Sequence, residues 1–196
     1  MEAIVVKIVV GICGGVAAFK MASVVSRLIQ LGYAVDVVMT HSAREFVGPA
    51  TFAALAGRQP AFETFEARFP LGAHIELAES ADLLLIAPAT ARILASCALG
   101  LGDDLLATLY LAASCPVVMA PAMNNAMWEN PAVQRNFRQL QSDGVSFLGP
   151  ASGWLSCRKQ GPGRMVEPEE ILASITRGFP LDSQDPTLAK PDDPST

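Results

Sequence analysis

The chain of 196 residues carries 14 Lys plus Arg against 19 Asp plus Glu, a formal net charge of −5, with mean hydropathy +0.35 and a pI near 5.0. Hydrophobic residues make up 51% and charged ones 17%, which excludes a wholly disordered chain and demands a large buried surface, within one domain or between subunits. The missing basic excess excludes phosphate-backbone binding, so nucleic acid is not an expected partner.

Short β-branched runs alternate with longer helical patterns, the signature of parallel βαβ units and of an α/β doubly wound sheet in three layers. Residues 4–10 read as the first strand; Glu2 and Lys7 around so short a run do not suit a secretory leader. Val16 to Leu31 reads as a helix with Val24, Val25, Leu28 and Ile29 on one stripe, ended by Gly32. Ala34–Met39 is the second strand, followed by short helices at Ser42–Val47 and Pro49–Ala56. Leu83–Ala87 has no polar residue and is expected in the sheet centre, covered on both faces. A helix from Ile93 to Ala113, interrupted at Gly100 and Gly102, leads to strand Val117–Ala120. Helix Asn130–Ser142, closed by Gly144, strand Val145–Leu148 and helix Glu169–Arg177 complete the domain, 1–179. Residues 180–196, with four prolines and four aspartates, read as a disordered tail.

The uncharged stretch from Leu105 to Trp128 is long enough to span a bilayer. Pro116, Pro121, Asn124 and Asn125 divide it, so no membrane partner is expected. Cys13, Cys97, Cys115 and Cys157 form no CxxC pair. They read as free thiols in a reducing, cytoplasmic compartment, with no metal site.

In such a sheet, ligands sit outside the carboxyl ends of the strands, and four loops there are unusual. Gly11-Ile12-Cys13-Gly14-Gly15-Val16 places three glycines before a helix N-terminus. It suits either a phosphate or a tight turn, and its spacing is not the dinucleotide fingerprint. Thr40 and Ser42 offer hydroxyls at the second strand's end, with Ser42 also a candidate helix N-cap. The loops Pro88-Ala89-Thr90-Ala91-Arg92 and Pro121-Ala122-Met123-Asn124-Asn125 each place a proline directly after a strand. Asp103 and Asp104 read as helix-capping residues rather than acids for catalysis.

In order along the chain, GICGGVAAFK, HIELAESADLLLIAPAT, DDLLATLYLA, PAMNNAMW and SGWLSCRKQGPGRMVEPEEI resemble the flavin-dependent cysteine decarboxylases. Among these the likeness is to the phosphopantothenoylcysteine decarboxylases of coenzyme A biosynthesis. The resemblance implies a flavodoxin-like fold, FMN as cofactor, a small-molecule substrate, and a homotrimer or homododecamer with the flavin between subunits. It implies FMN contacts from Gly14, Gly15, Val16, Thr40, Ser42, Thr90, Ala91 and Ala122, and catalytic roles for His74, Asn124 and Cys157. Asn124, Met127, Arg92 and Arg164 would hold the substrate. Met123, Met127 and Trp128 also read as packing residues, and Cys13, Cys97 and Cys115 as structural thiols.

The chemistry needs such groups. Direct loss of the cysteine carboxylate leaves an unstabilised carbanion, so oxidation to a thioaldehyde comes first and an enethiol follows. An imidazole moves protons near neutral pH, an amide holds a carboxylate, and a thiol returns a proton. The chain departs from the family pattern at Arg92, where an asparagine is usual, and at Arg158, where a glycine follows the cysteine. Arg92 is expected either to anchor an anionic group bidentately or to block the usual substrate. Two alternatives stand beside the main reading: a related flavoenzyme acting on another acid, such as a peptidyl cysteine, and a non-catalytic FMN-binding regulator.

Overall fold

A computed structural model describes residues 5–181. The start of the expected first strand and nearly all of the expected tail lie outside these residues. Five parallel strands, β1 (Lys7–Ile12), β2 (Ala34–Met39), β3 (Leu83–Ala89), β4 (Val117–Pro121) and β5 (Ser146–Phe147), form one sheet in the order β2-β1-β3-β4-β5. That order is flavodoxin-like and reverses direction between β1 and β3, which opens a crevice above their carboxyl ends. All seven residues of β3 are buried, because a central parallel strand is covered on both faces.

Alternation along the strands divides the core. Ile8, Val10 and Ile12 of β1 pack with helices α1 (Lys20–Gln30), α2 (Pro49–Ala56) and α8 (Pro168–Gly178). Val9 faces the other layer, made by α3 (Ala73–Ser80), α4 (Ala91–Leu99), α5 (Leu105–Ala112) and α7 (Pro131–Ser142). Each fully buried leucine or isoleucine in these layers contributes about 2 kcal/mol through removal from water.

The structure corrects several sequence readings. The first helix begins as a 3-10 turn, Val16–Phe19, and becomes α-helical only at Lys20. Ser42 is not an N-cap; it lies inside the 3-10 turn His41–Glu45, whose N-cap position is Thr40. Pro88 and Pro121 lie within the last residues of β3 and β4 rather than beyond them, since the ladder resumes at Ala89 opposite Pro121 after a shift in register. Other readings hold: the helix over 93–113 is interrupted where expected, with Gly100, at φ +67°, ending α4, and of the two aspartates read as capping residues Asp104 caps α5, its carboxylate accepting from Ala107 N at 2.8 Å.

Three elements were not anticipated: α3, the short helix α6 (Asn125–Glu129), and an antiparallel hairpin of β6 (Ala151–Trp154) and β7 (Gln160–Arg164). The hairpin forms its own two-stranded sheet beyond β5.

Candidate active site

The loops at the carboxyl edge and the hairpin enclose a cavity of about 740 Å³, a volume typical of small-ligand sites. Gly14, Gly15 and Val16 enter it from the loop after β1, beside Ser42. Gly14 is glycine for a steric reason: a Cβ there would stand 2.5 Å from Ser42 Oγ and 2.7 Å from the Ser42 carbonyl carbon. At Gly15 a Cβ would meet nothing within 4 Å, so that backbone is open to the cavity. Thr40, though grouped with Ser42 by sequence, does not line the cavity. It is buried, with Oγ1 3.3 Å from Ser42 Oγ, and supports the residue that does.

Thr90 and Ala91 line the second wall at the start of α4, where Thr90 Oγ1 accepts from Ile93 N at 3.4 Å. Arg92 also reaches the cavity, but its charge is engaged: Nη1 lies 3.0 Å from Asp103 Oδ2, and Nη2 pairs with Asp104 Oδ2. Burial opposes the Arg92 charge, yet the two carboxylates outweigh it and raise its pKa further. Arg92 therefore ties the α4–α5 loop to α4 instead of presenting a free guanidinium.

Ala122, Asn124 and Met127 form the third wall. Asn124 opens this wall at the start of α6. It is exposed at the N-cap of α6, where Oδ1 accepts from Met127 N at 2.8 Å, which leaves the amide NH₂ as a donor. Trp128 is a packing residue, edge-on to Phe137 at 5.0 Å between ring centroids.

The hairpin supplies the fourth wall. Its backbone lies against the loop after β4, with Met123 N donating to Gly163 O at 2.9 Å. Gly163, at φ +122°, has room for no Cβ beside the Met123 carbonyl oxygen. Cys157 sits exposed in the turn between the strands, where Leu155 N donates to Lys159 O at 2.8 Å, and it lines the cavity with Arg164. Cys13 and Cys97, by contrast, are buried, and desolvation pushes both thiols up to about 12. At neutral pH they stay protonated and unreactive.

His74 is the exception. It stands in the first turn of α3, outside the cavity formed by its own chain. Its Nδ1 is buried with no hydrogen-bond partner, the one such side-chain atom among the described residues. The ring lies against Gly72, at φ +97°, where a Cβ would stand only 3.1 Å from His74 Cε1.

Sequence reasoning gave no role to Lys20. It lines the cavity from the start of α1, with Nζ 2.8 Å from Glu167 Oε2. The signal was present: Lys20 is the sole charged residue between Lys7 and Arg27.

The relatives of this chain match nearly all of it. It is 49% identical over 175 residues to the coenzyme A biosynthesis bifunctional protein CoaBC of Vibrio cholerae, covering 88% of this chain and 44% of that protein. With the Bacillus subtilis protein of the same name it shares 42% over 180 residues, covering 91% and 44%. The chain thus spans about half the length of these curated relatives. Among solved structures, the FMN-dependent cysteine decarboxylase SpaF superposes with a TM-score of 0.77 at 36% identity, over 86% of this chain and 94% of that one. A cysteine-to-serine mutant of PPC decarboxylase, complexed with pantothenoylaminoethenethiol, superposes with a TM-score of 0.80 at 27% identity, over 89% and 98%. The sequence profile of the Flavoprotein family matches residues 3–179, and the chain belongs to that family.

Proposed function

We propose that this chain binds FMN and decarboxylates 4′-phosphopantothenoylcysteine to 4′-phosphopantetheine in coenzyme A biosynthesis. The observation that carries the reading is the cavity itself, which gathers Asn124, Cys157 and the glycine loop with the open Gly15 backbone into one site. Those residues fit the cofactor. The amides of the Gly14–Val16 turn suit its single phosphate, and Thr90, Ala91 and Ala122 offer a wall of small side chains for its ring. When bound, FMN supplies a hydride acceptor and donor at the carbon bearing the substrate thiol.

The protein groups do the rest. The Asn124 amide NH₂ donates to the substrate carboxylate and orients it. Lys20 sets a positive charge at the wall for an anionic ligand, while Arg92 shapes the wall with its own charge neutralised by Asp103 and Asp104. The Cys157 thiol delivers the proton that completes the saturated product. His74 moves the proton released in the oxidation, and it reaches the site from a second copy, since it lies outside its own chain's cavity. Exposed Val16, Phe19, Phe46 and Trp154 ring the cavity mouth and give that copy an apolar surface. The assembly is a trimer or a dodecamer built from trimers.

Among the described residues, no helix is long and apolar enough to cross a membrane, and no cluster suits a metal ion. The reading requires one FMN per chain and a sedimenting species that is a trimer or a multiple of one. A colourless monomer that takes up no added FMN would overturn it.

A further inference from the structure

Three elements meet on one carboxylate beside the cavity. Lys20, with a side chain only 12% exposed, places Nζ 2.8 Å from Glu167 Oε2 and donates to the Met165 carbonyl at 3.4 Å. Arg164, the last residue of β7, pairs with Glu167 Oε1. Its side chain crosses the backbone of β6 to do so: a Cβ on Gly153 would stand 3.1 Å from Nη1 and 3.2 Å from Cδ. Glu167 precedes α8, where Glu170 Oε1 accepts from its N–H at 3.3 Å, and it does not itself line the cavity. The Lys20 hydrogen bond holds the Glu167 carboxyl below the usual carboxylate range, so the latch carries its charge at neutral pH.

Two consequences follow from this geometry. An ammonium with two of its N–H bonds given to protein acceptors keeps the third for the cavity, in a fixed direction. A two-stranded hairpin is marginal on its own, and this one is held on one side by the Met123–Gly163 backbone contact and on the other by the Arg164–Glu167 pair. We propose that Glu167 is a positioning residue: it latches the Cys157 hairpin over the cavity through Arg164 and fixes the Lys20 ammonium at the wall facing the anionic substrate. The proposal rests on the decarboxylase reading for its substrate, and on the hairpin geometry alone for its latch.

The test uses FMN-loaded protein, with hydrogen exchange of the hairpin amides measured before any substrate is added. Glu167→Gln should speed exchange over residues 151–164 about tenfold, with β1 and β3 unchanged. It should also raise KM for phosphopantothenoylcysteine about tenfold while kcat stays within twofold. Gly153→Ala displaces Arg164 but leaves Lys20 on Glu167, so it should speed hairpin exchange with a smaller rise in KM. Wild-type exchange and KM in Glu167→Gln would overturn the latch, as would faster exchange throughout the sheet, which marks a general loss of stability. If the wild type turns over no phosphopantothenoylcysteine while Glu167→Gln still frees the hairpin, the latch stands and the decarboxylase reading fails.

Discussion

Co-expressed with a Cys157→Ser chain, an inactive His74→Asn chain should regain about a quarter of wild-type turnover in mixed oligomers. His74→Asn alone is expected to lower decarboxylation about a thousandfold, the scale of a lost proton-transfer group. The recovery follows from where the residues sit. Cys157 lines the cavity of its own chain and His74 does not. A site whose own chain is His74→Asn and whose neighbour is Cys157→Ser therefore contains both native groups. Random assembly makes such sites about one in four. If His74 acted within its own chain, every site would carry one defect and co-expression would restore nothing. Assay of the co-purified mixture against each variant alone decides the matter.

Cys157→Ser by itself should change the product rather than simply slow the enzyme. A hydroxyl is a far weaker acid than a thiol, so the final protonation fails while oxidation and loss of carbon dioxide proceed. With oxygen excluded, so that nothing else reoxidises the flavin, its absorbance should bleach once per chain and stay bleached, and the released compound should be the unsaturated enethiol. Repeated turnover to the saturated thiol in Cys157→Ser would remove Cys157 from the chemistry and leave it a hairpin-tip residue.

The sheet was legible because its signal is local. Leu83–Ala87 is apolar throughout, and only a doubly covered strand suits it; Ala34–Met39 and Pro49–Ala56 lie between punctuating glycines and a proline, and their bounds agree with the structure. The hairpin was not legible, because its two strands hold Gly153, Gly161, Pro162 and Gly163, residues that ordinarily argue against strands. They are there for close approach: Gly161 packs on Asn125 and Gly163 on Met123, which carries Cys157 over the loop after β4. The pairing of Arg92 with Asp103 and Asp104 was also invisible, since it depends on the turn at Gly100 folding residues eleven and twelve positions away back onto α4. Motif likeness grouped His74 with Asn124 and Cys157, but it contains no information about which chain each residue serves.

The mass of the product formed from phosphopantothenoylcysteine by the FMN-loaded protein tests the central claim most directly, with a peptide ending in cysteine as competitor. The expected result is loss of one carbon dioxide from phosphopantothenoylcysteine, a product matching 4′-phosphopantetheine, and an untouched peptide. An unchanged phosphopantothenoylcysteine spectrum from yellow, oligomeric protein, or decarboxylation of the peptide alone, would contradict it.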